Sequence, residues 1–488
     1  MPKQAFLTTF ATLALLILVT TSINFSWVQS FHNSDSLLAP LMSIDHYTPF
    51  YWGQNRCGQL FPLMVSFIRN YTVNLFAQTE LLVGSSLGCM VLFNLYFLHQ
   101  NLAAPQRQAA ALLAVVLSVC LLAPTVGTAL MLAMGSQPYM PSLFLVLLAV
   151  ALFFRIRKVR MSLRIAGTLL LLLIAFWINM SAAPLAAGLI LCTDVIRPQR
   201  QLKLRLAALL ALAAAFGANV WLAHQYPGSG HEVLDPWHEW LVGVQTFSAR
   251  AVPYFFHQVR LLSFVMLLLI LILVQFARGR ISQNYRVDDA LVFVAAAIAF
   301  AVMVGGVEWV KLNGYSPRYC TISVMLLLFV ATGWVSAAIV RLLSNRMGAQ
   351  AALLVSGFVL ASLIVGIFGF PSYTAAKSYL SNGLDRIHFD ADQDARTLGC
   401  THFVGNYWIG WILVFQRESH GGPPIYAITA RSQDTRDLWN WDPSRARTYC
   451  GIPGDAERET WRSVFGLPPL RESTRYGGLC RLEVAAGS

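Results

Sequence analysis

TISVMLLLFVATGWVSAAIVRLLSNR, residues 321–346, decides the class of this protein. From 321 to 340 no side chain is ionisable. A helix over that stretch rises ~1.5 Å per residue and reaches ~30 Å, the thickness of a bilayer's hydrocarbon core. Arg341 and Arg346 follow at once. Similar apolar runs recur outward from it, as at 290–304 and in LLSFVMLLLILILVQF at 261–276. Over the whole chain 56% of residues are hydrophobic and 12% charged. An ordinary soluble protein carries roughly 25% charged residues, so a soluble globular fold is excluded.

The formal net charge is +12, which would suit a nucleic-acid partner, but its placement argues against one. Residues 371–488 hold 13 Lys/Arg and 13 Asp/Glu and are neutral. The surplus sits in the apolar part, in short runs: RIRKVRMSLR (155–164), RPQRQLKLR (197–205), RGRISQNYR (278–286) and RLLSNR (341–346). Lys/Arg bias in short loops sets membrane orientation. These runs read as cytoplasmic loops, with anionic lipid contact as a secondary role and no nucleic-acid partner.

The pattern predicts a polytopic α-helical membrane protein of about 11 transmembrane helices. They fall near 5–23, 76–98, 109–131, 140–154, 165–180, 184–196, 206–224, 259–276, 289–307, 319–340 and 351–370. The first run is long and no A-x-A-like site closes it, so it reads as a retained helix and not a cleaved signal. An odd number of crossings from a cytoplasmic N-terminus puts the C-terminus outside, in the periplasm of a bacterial inner membrane. Residues 1–370 form the transmembrane domain, with a first periplasmic loop at 24–75. Residues 371–488 are long enough for a small periplasmic domain. There HFVGNYWIGWILVF (402–415) and PIYAIT (424–429) read as strands, giving a small α/β domain in which Trp408 and Trp411 read as packing residues. A polar outer loop is expected at 225–257.

Cys89, Cys120, Cys192 and Cys320 fall in or beside helices and read as inert thiols. Cys57, Cys400, Cys450 and Cys480 fall outside, where disulfides persist. One bridge is expected among the three tail cysteines, and the spacing leaves open which pair forms it.

Chemistry belongs where polar sequence gathers, and the first outer loop is richest: FHNSDSLLAPLMSIDHYTPFYWGQNRCGQLFPL, 31–63. It combines Asp35, Asp45, His32, His46 and Arg56 with Tyr47, Phe50, Tyr51 and Trp52. Leu37, Leu38, Leu41 and Met42 repeat at helical spacing, which predicts a helix lying on the membrane surface, apolar face down. Asp35 would open that helix. It serves there either as an N-terminal cap or as a functional carboxylate. Asp45 is ten residues on, about 280° around a helix. The two therefore do not share a face and do not form a paired acid and base of glycosidase type.

SDSLL (34–38), WGQNR (52–56) and SPRY (316–319), with this layout, resemble the GT-C class of integral-membrane glycosyltransferases. Within that class the resemblance is to the clan of protein O-mannosyltransferases and lipid A aminoarabinose transferases. The likeness spans the whole chain as architecture: a long first outer loop with an Asp just after helix one, many spans, and a soluble C-terminal domain outside. The chain has no adjacent Asp-Asp or Asp-Glu pair after helix one and no WWDYG-like motif.

The resemblance implies an inverting transferase acting on the periplasmic face. It would move a hexosyl or pentosyl unit from a polyprenyl-phosphate donor to an acceptor hydroxyl on lipopolysaccharide, another glycolipid, a polysaccharide or a protein. Asp35 would be the general base, with Asp45 as the alternative. Arg56 and Arg318, with Lys311 behind them, would bind the donor phosphate; a guanidinium fork suits two phosphate oxygens. Against these stand plainer roles: a solvated loop charge for Arg56, a membrane-surface anchor for Arg318, and a surface lysine for Lys311, where the plainer role is preferred. His46, Trp52, Gln54 and Tyr319 are the substrate-contact candidates. No cofactor is called for. His231 and His238 in the 225–257 loop lack the spacing of a helical metal-ligand pair, so no metal site is assigned.

Two other classes compete: a lipid or polysaccharide flippase or transporter, and an O-antigen ligase or polymerase. A coupled carrier uses ionisable groups buried at mid-membrane. Here Glu80 and Asp194 sit near helix ends, and no internal repeat is apparent. A ligase would use a larger second-half outer loop with several arginines, whereas 225–257 offers Arg250 alone.

Overall fold

The structure is a computed structural model. It describes residues 14–15, 17–22, 24, 34–52, 58–98, 102–122, 139–156, 159–192, 202–226, 236–258, 287–307, 310–311, 314–368, 391–429, 446–455 and 468–484. The spans expected at 5–23 and 259–276 fall largely or wholly outside these residues. The chain divides into two compact units. One comprises Met1–Ser26, Leu82–Ala223 and His231–Phe370; the other comprises Trp27–Leu81, His224–Gly230 and Pro371–Ser488.

In chain order the elements are α1 (Ser34–Ile44), α2 (Leu60–Met64), α3 (Tyr71–Phe93, continued by a π-helical turn, Asn94–Leu98), α4 (Ala104–Leu122), α5 (Tyr139–Phe154), α6 (Met161–Ile178), α7 (Ala182–Cys192), α8 (Leu202–His224), α9 (Trp237–Gln258), α10 (Val287–Gly305), a 3-10 turn (Pro317–Cys320), α11 (Thr321–Met347) and α12 (Ala349–Phe368). The tail adds α13 (Ala391–Thr397), β1 (His402–Gly405), α14 (Tyr407–Ser419), β2 (Tyr426–Thr429), β3 (Tyr449–Gly451), β4 (Leu470–Tyr476) and β5 (Leu479–Val484).

The first unit is a helical bundle. Among the described residues four helices are long and apolar enough to cross a membrane: Tyr71–Leu98, Met161–Ile178, Leu202–His224 and Thr321–Met347. Shorter apolar helices accompany them at Tyr139–Phe154, Ala182–Leu191, Phe293–Gly305 and Ala349–Ser362. The protein is a multi-pass membrane protein. α11 is the bundle's centre, with 78% of its apolar stretch buried, whereas the apolar stretches of α6 and α8 are 28% buried. The outer helices turn Leu170, Leu206, Leu210 and Phe358 outward, a face suited to lipid. α11 packs against α4, α10 and α12. Hydroxyls bond across these seams, from Ser118 Oγ to Thr332 Oγ1 at 3.1 Å and from Ser323 Oγ to the Ala297 carbonyl at 2.7 Å. Such bonds suit a medium with no water to compete.

The second unit joins the first loop to the tail. Its five-stranded sheet has the order β2-β1-β3-β5-β4. β1 runs parallel to β2 and β3, and β5 antiparallel to β3 and β4. One face of the sheet, with Phe403, Ala427 and Cys450, shares a core with α14 and α1. The opposite face gathers Val404, Ile428, Tyr449 and Leu482. Cys400 and Cys450 form a disulfide, and Cys480 is free and buried. At the start of α13, Asp392 takes hydrogen bonds from Arg396 (2.5 Å) and Arg417 (3.0 Å).

Three expectations change. The run 402–415 is a strand only to Gly405. The chain turns there at φ +137°, a backbone that favours glycine, and then forms helix α14. Tyr407, Trp411 and Phe415 recur every four residues and are buried, so helical periodicity outweighs the aromatic, β-branched composition. The region 225–257 is not simply loop, because Trp237–Gln258 is helical, with Gly243, Phe247 and Ala251 on one buried face. Lastly, the apolar side chains of α1, Leu37, Leu38, Leu41 and Met42, are at most 1% exposed and lie in the core with Trp411 and Phe415. Protein covers that face where lipid was expected.

Candidate functional site

The candidate residues fall in both units. In the second, α1 spans Ser34–Ile44 and includes Asp35. The buried leucines two, three and six positions on hold the helix against α14. Asp45 follows the last turn, its N–H bonded to the Leu41 carbonyl at 2.9 Å.

Asp45 does not stand alone. The Tyr71 hydroxyl is 2.5 Å from Asp45 Oδ1 and 3.1 Å from Glu418 Oε2. One phenolic proton thus lies between a loop carboxylate and a carboxylate of α14. Glu418 is 8% exposed, and the Tyr71 ring packs edge-on against Phe415 at 6.1 Å. Neither Tyr71 nor Glu418 is legible in the sequence as a site residue, since 347 positions separate them. The one available signal was the spacing of Trp411, Phe415 and Glu418 on a single helical face.

Past Asp45 the loop turns back on itself. Phe50 pairs with Gly58 as an isolated antiparallel bridge, and the Gln59 N–H donates to the Pro49 carbonyl at 3.0 Å. The sequence between contains Gln54 and Arg56, which lie outside the described residues, as does Cys57. Trp52 is 1% exposed. Its indole N–H donates to the His46 carbonyl at 3.0 Å, and its ring lies 5.7 Å from that of Trp411. Trp52 is thus a core side chain that braces the loop, and His46 contributes its backbone. Tyr51 and Tyr407 hydroxyls meet at 3.0 Å. Burial pushes the Tyr47 phenol up to about 12, with Tyr226 adding to the shift, so Tyr47 stays protonated and can donate a hydrogen bond across the physiological range.

In the first unit, Arg318 belongs to the Pro317–Cys320 turn that leads into α11. Tyr319 beside it is 2% exposed, a packing position. Lys311 is bound to Glu239 at 3.0 Å, and the hydrogen bond from Lys311 holds the Glu239 carboxyl below the usual range. Among the described residues no three His, Cys, Asp or Glu side chains group to hold a metal ion. His231 lies outside the described residues.

No family model and no characterised protein matches the sequence. Among solved structures, the crystal structure of ArnT from Cupriavidus metallidurans bound to undecaprenyl phosphate is similar to the chain. It is 13% identical, with 99% of this chain and 98% of that chain covered and a TM-score of 0.44. At that identity and score no residue role passes from one chain to the other.

Proposed function

We propose that this protein is an inverting GT-C-type glycosyltransferase of the bacterial inner membrane, N-terminus in the cytoplasm and C-terminus in the periplasm. It takes a sugar from a polyprenyl-phosphate carrier and passes it to an acceptor hydroxyl. The compartment argues for the donor: outside the membrane no nucleotide sugar is at hand, so the activated sugar arrives on a lipid. Asp35 takes the acceptor's proton as the hydroxyl oxygen bonds to the anomeric carbon. The carbon–oxygen bond to phosphate breaks in the same displacement, and the lipid phosphate leaves with its charge. Arg56 and Arg318 stabilise that charge. Lys311, engaged by Glu239, is left out, and Trp52 and Tyr319 brace the residues beside them.

The observation that most supports this reading is α1: Asp35 lies on a helix whose apolar residues Leu37, Leu38, Leu41 and Met42 are buried in the core of the second unit. That is a rigid mount for a base. Asp35→Asn tests it. Asparagine keeps the size of the side chain and one acceptor oxygen and is as good a helix cap, but it carries no charge and cannot accept the proton. Protein in liposomes, given radiolabelled undecaprenyl-phosphate sugars, should lose ~10²–10⁴-fold in turnover with normal expression. Asp45→Asn should lose less. Loss of transfer in Asp45→Asn with near-normal turnover in Asp35→Asn would move the base to Asp45. No transfer from any such donor by the wild-type protein would overturn the reading.

A further inference from the structure

The turn that carries Arg318 is fastened along α9, and one of the fastenings has no role in the site described above. α9 crosses α10 closely: a Cβ added at Gly243 would sit 2.7 Å from the Gly305 carbonyl oxygen. The 3-10 turn also packs against α9. Lys311 bonds Glu239 at 3.0 Å. The Tyr315 hydroxyl lies 3.6 Å from where a Gly243 Cβ would be. Arg250 Nη1 donates to the Gly314 carbonyl at 2.6 Å. Glu239 and Arg250 are about 20° apart around the helix and ~16 Å along it, so one face of α9 holds the turn at both ends.

The backbone at this point is strained. Gly314 and Tyr315 have φ of 65° and 55°. Two successive left-handed residues are uncommon, and tyrosine has no glycine's freedom there. Such a conformation persists when its surroundings over-determine it, and strained sites cluster where geometry serves function. The internal bonds are the Gly314 N–H to the Lys311 carbonyl at 2.9 Å and the Tyr315 N–H to the Val310 carbonyl at 2.8 Å. Arg250 supplies a side-chain bond from α9. Two residues beyond the strained pair, Pro317 opens the turn of Arg318, whose neighbours Tyr319 and Cys320 are buried at 2% and 6% exposure. A backbone fixed before and after Arg318 leaves that residue little freedom of place.

We propose that Arg250 is a positioning residue for donor phosphate: by gripping the Gly314 carbonyl it sets the turn on which Arg318 is carried. The inference rests on the reading of Arg318 as a phosphate ligand, and two measurements keep the claims apart. The first is equilibrium binding of undecaprenyl phosphate to the full-length protein in nanodiscs. Arg250→Ala should weaken binding about tenfold, Arg250→Lys should recover part of it, and Arg318→Ala should weaken it on its own. The Arg250→Ala/Arg318→Ala double variant should bind no worse than Arg318→Ala, because Arg250 acts through Arg318. The second is amide hydrogen exchange over 310–320, which should speed up in Arg250→Ala while the bundle helices keep wild-type rates. Wild-type affinity in Arg250→Ala, or losses that add fully in the double variant, would overturn the proposal. So would unchanged exchange at 310–320. Wild-type affinity in Arg318→Ala would take down the phosphate reading instead, and the exchange rate would still decide whether Arg250 holds the turn.

Discussion

Asp392 shares its two oxygens between Arg396 and Arg417, and Arg417 is itself 8% exposed. Burial pulls the Asp392 carboxyl upward, but the hydrogen bonds from Arg396 and Arg417 outweigh it, and the group sits below the usual carboxylate range. A depressed folded value means that its stabilisation is complete above the unfolded value of ~3.9 and fades as pH falls through the lower folded value. Asp392→Asn strands a buried guanidinium. Relative to wild type, the tail should lose ~3 kcal/mol at pH 7, and the gap should narrow well below pH 4. Unfolding followed by tryptophan fluorescence at both pH values measures it; an equal gap at the two would refute the charge argument. The same scale shows what a sequence hides. Asp45 was legible as a carboxylate in a polar loop. Its partners Tyr71 and Glu418 were not, because only the fold brings residues from opposite ends of the chain to one hydroxyl.

At the scale of elements, periodicity revealed the helices and said nothing of what covers them. The apolar spacing of α1 was plain, yet lipid and protein are equally apolar partners, and the choice fell to α14. α14 itself was obscured by its composition, since Trp, Ile and Val over 408–414 read as a continuation of the strand that in fact ends at Gly405. The spans were the most legible elements, because a bilayer demands a length and a composition that few other structures need. The bridge from Cys400, two residues before β1, to Cys450 in β3 was legible only as one unspecified pair among three tail cysteines. The sheet resolves it, by setting β1 parallel to β3 with Phe403 opposite Cys450. Alkylation of the denatured, unreduced protein followed by mass spectrometry should recover Cys400 and Cys450 as one linked peptide pair, and Cys480 alkylated. A linked peptide containing Cys480 would contradict the fold. Removing the bridge by Cys400→Ser with Cys450→Ser should cost the tail ~2–4 kcal/mol.

For the whole molecule, the proposed orientation rests on charge and hydropathy. The basic run at 155–164 leads into α6 and that at 341–346 forms the last turns of α11, while the tail is neutral. Alkaline phosphatase folds only outside the cytoplasm, so a fusion after Ser488 should be active and one within 155–164 inactive. The reverse pattern would invert the topology. The composition of the second unit bears on how the protein is made. Its loop, Trp27–Leu81, and its tail, Pro371–Ser488, are separated by the bulk of the chain. At roughly 5–20 residues per second a ribosome needs about 15–60 s to bridge the ~290 residues between them. Through that interval α1 has emerged and α14 does not yet exist, so Leu37, Leu38, Leu41 and Met42 wait without their cover. Biogenesis therefore includes a stage in which a sticky helix must be sheltered by an insertase, a chaperone or the lipid surface itself, and messages cut short before the tail yield chains that proteolysis can recognise by that exposed stripe.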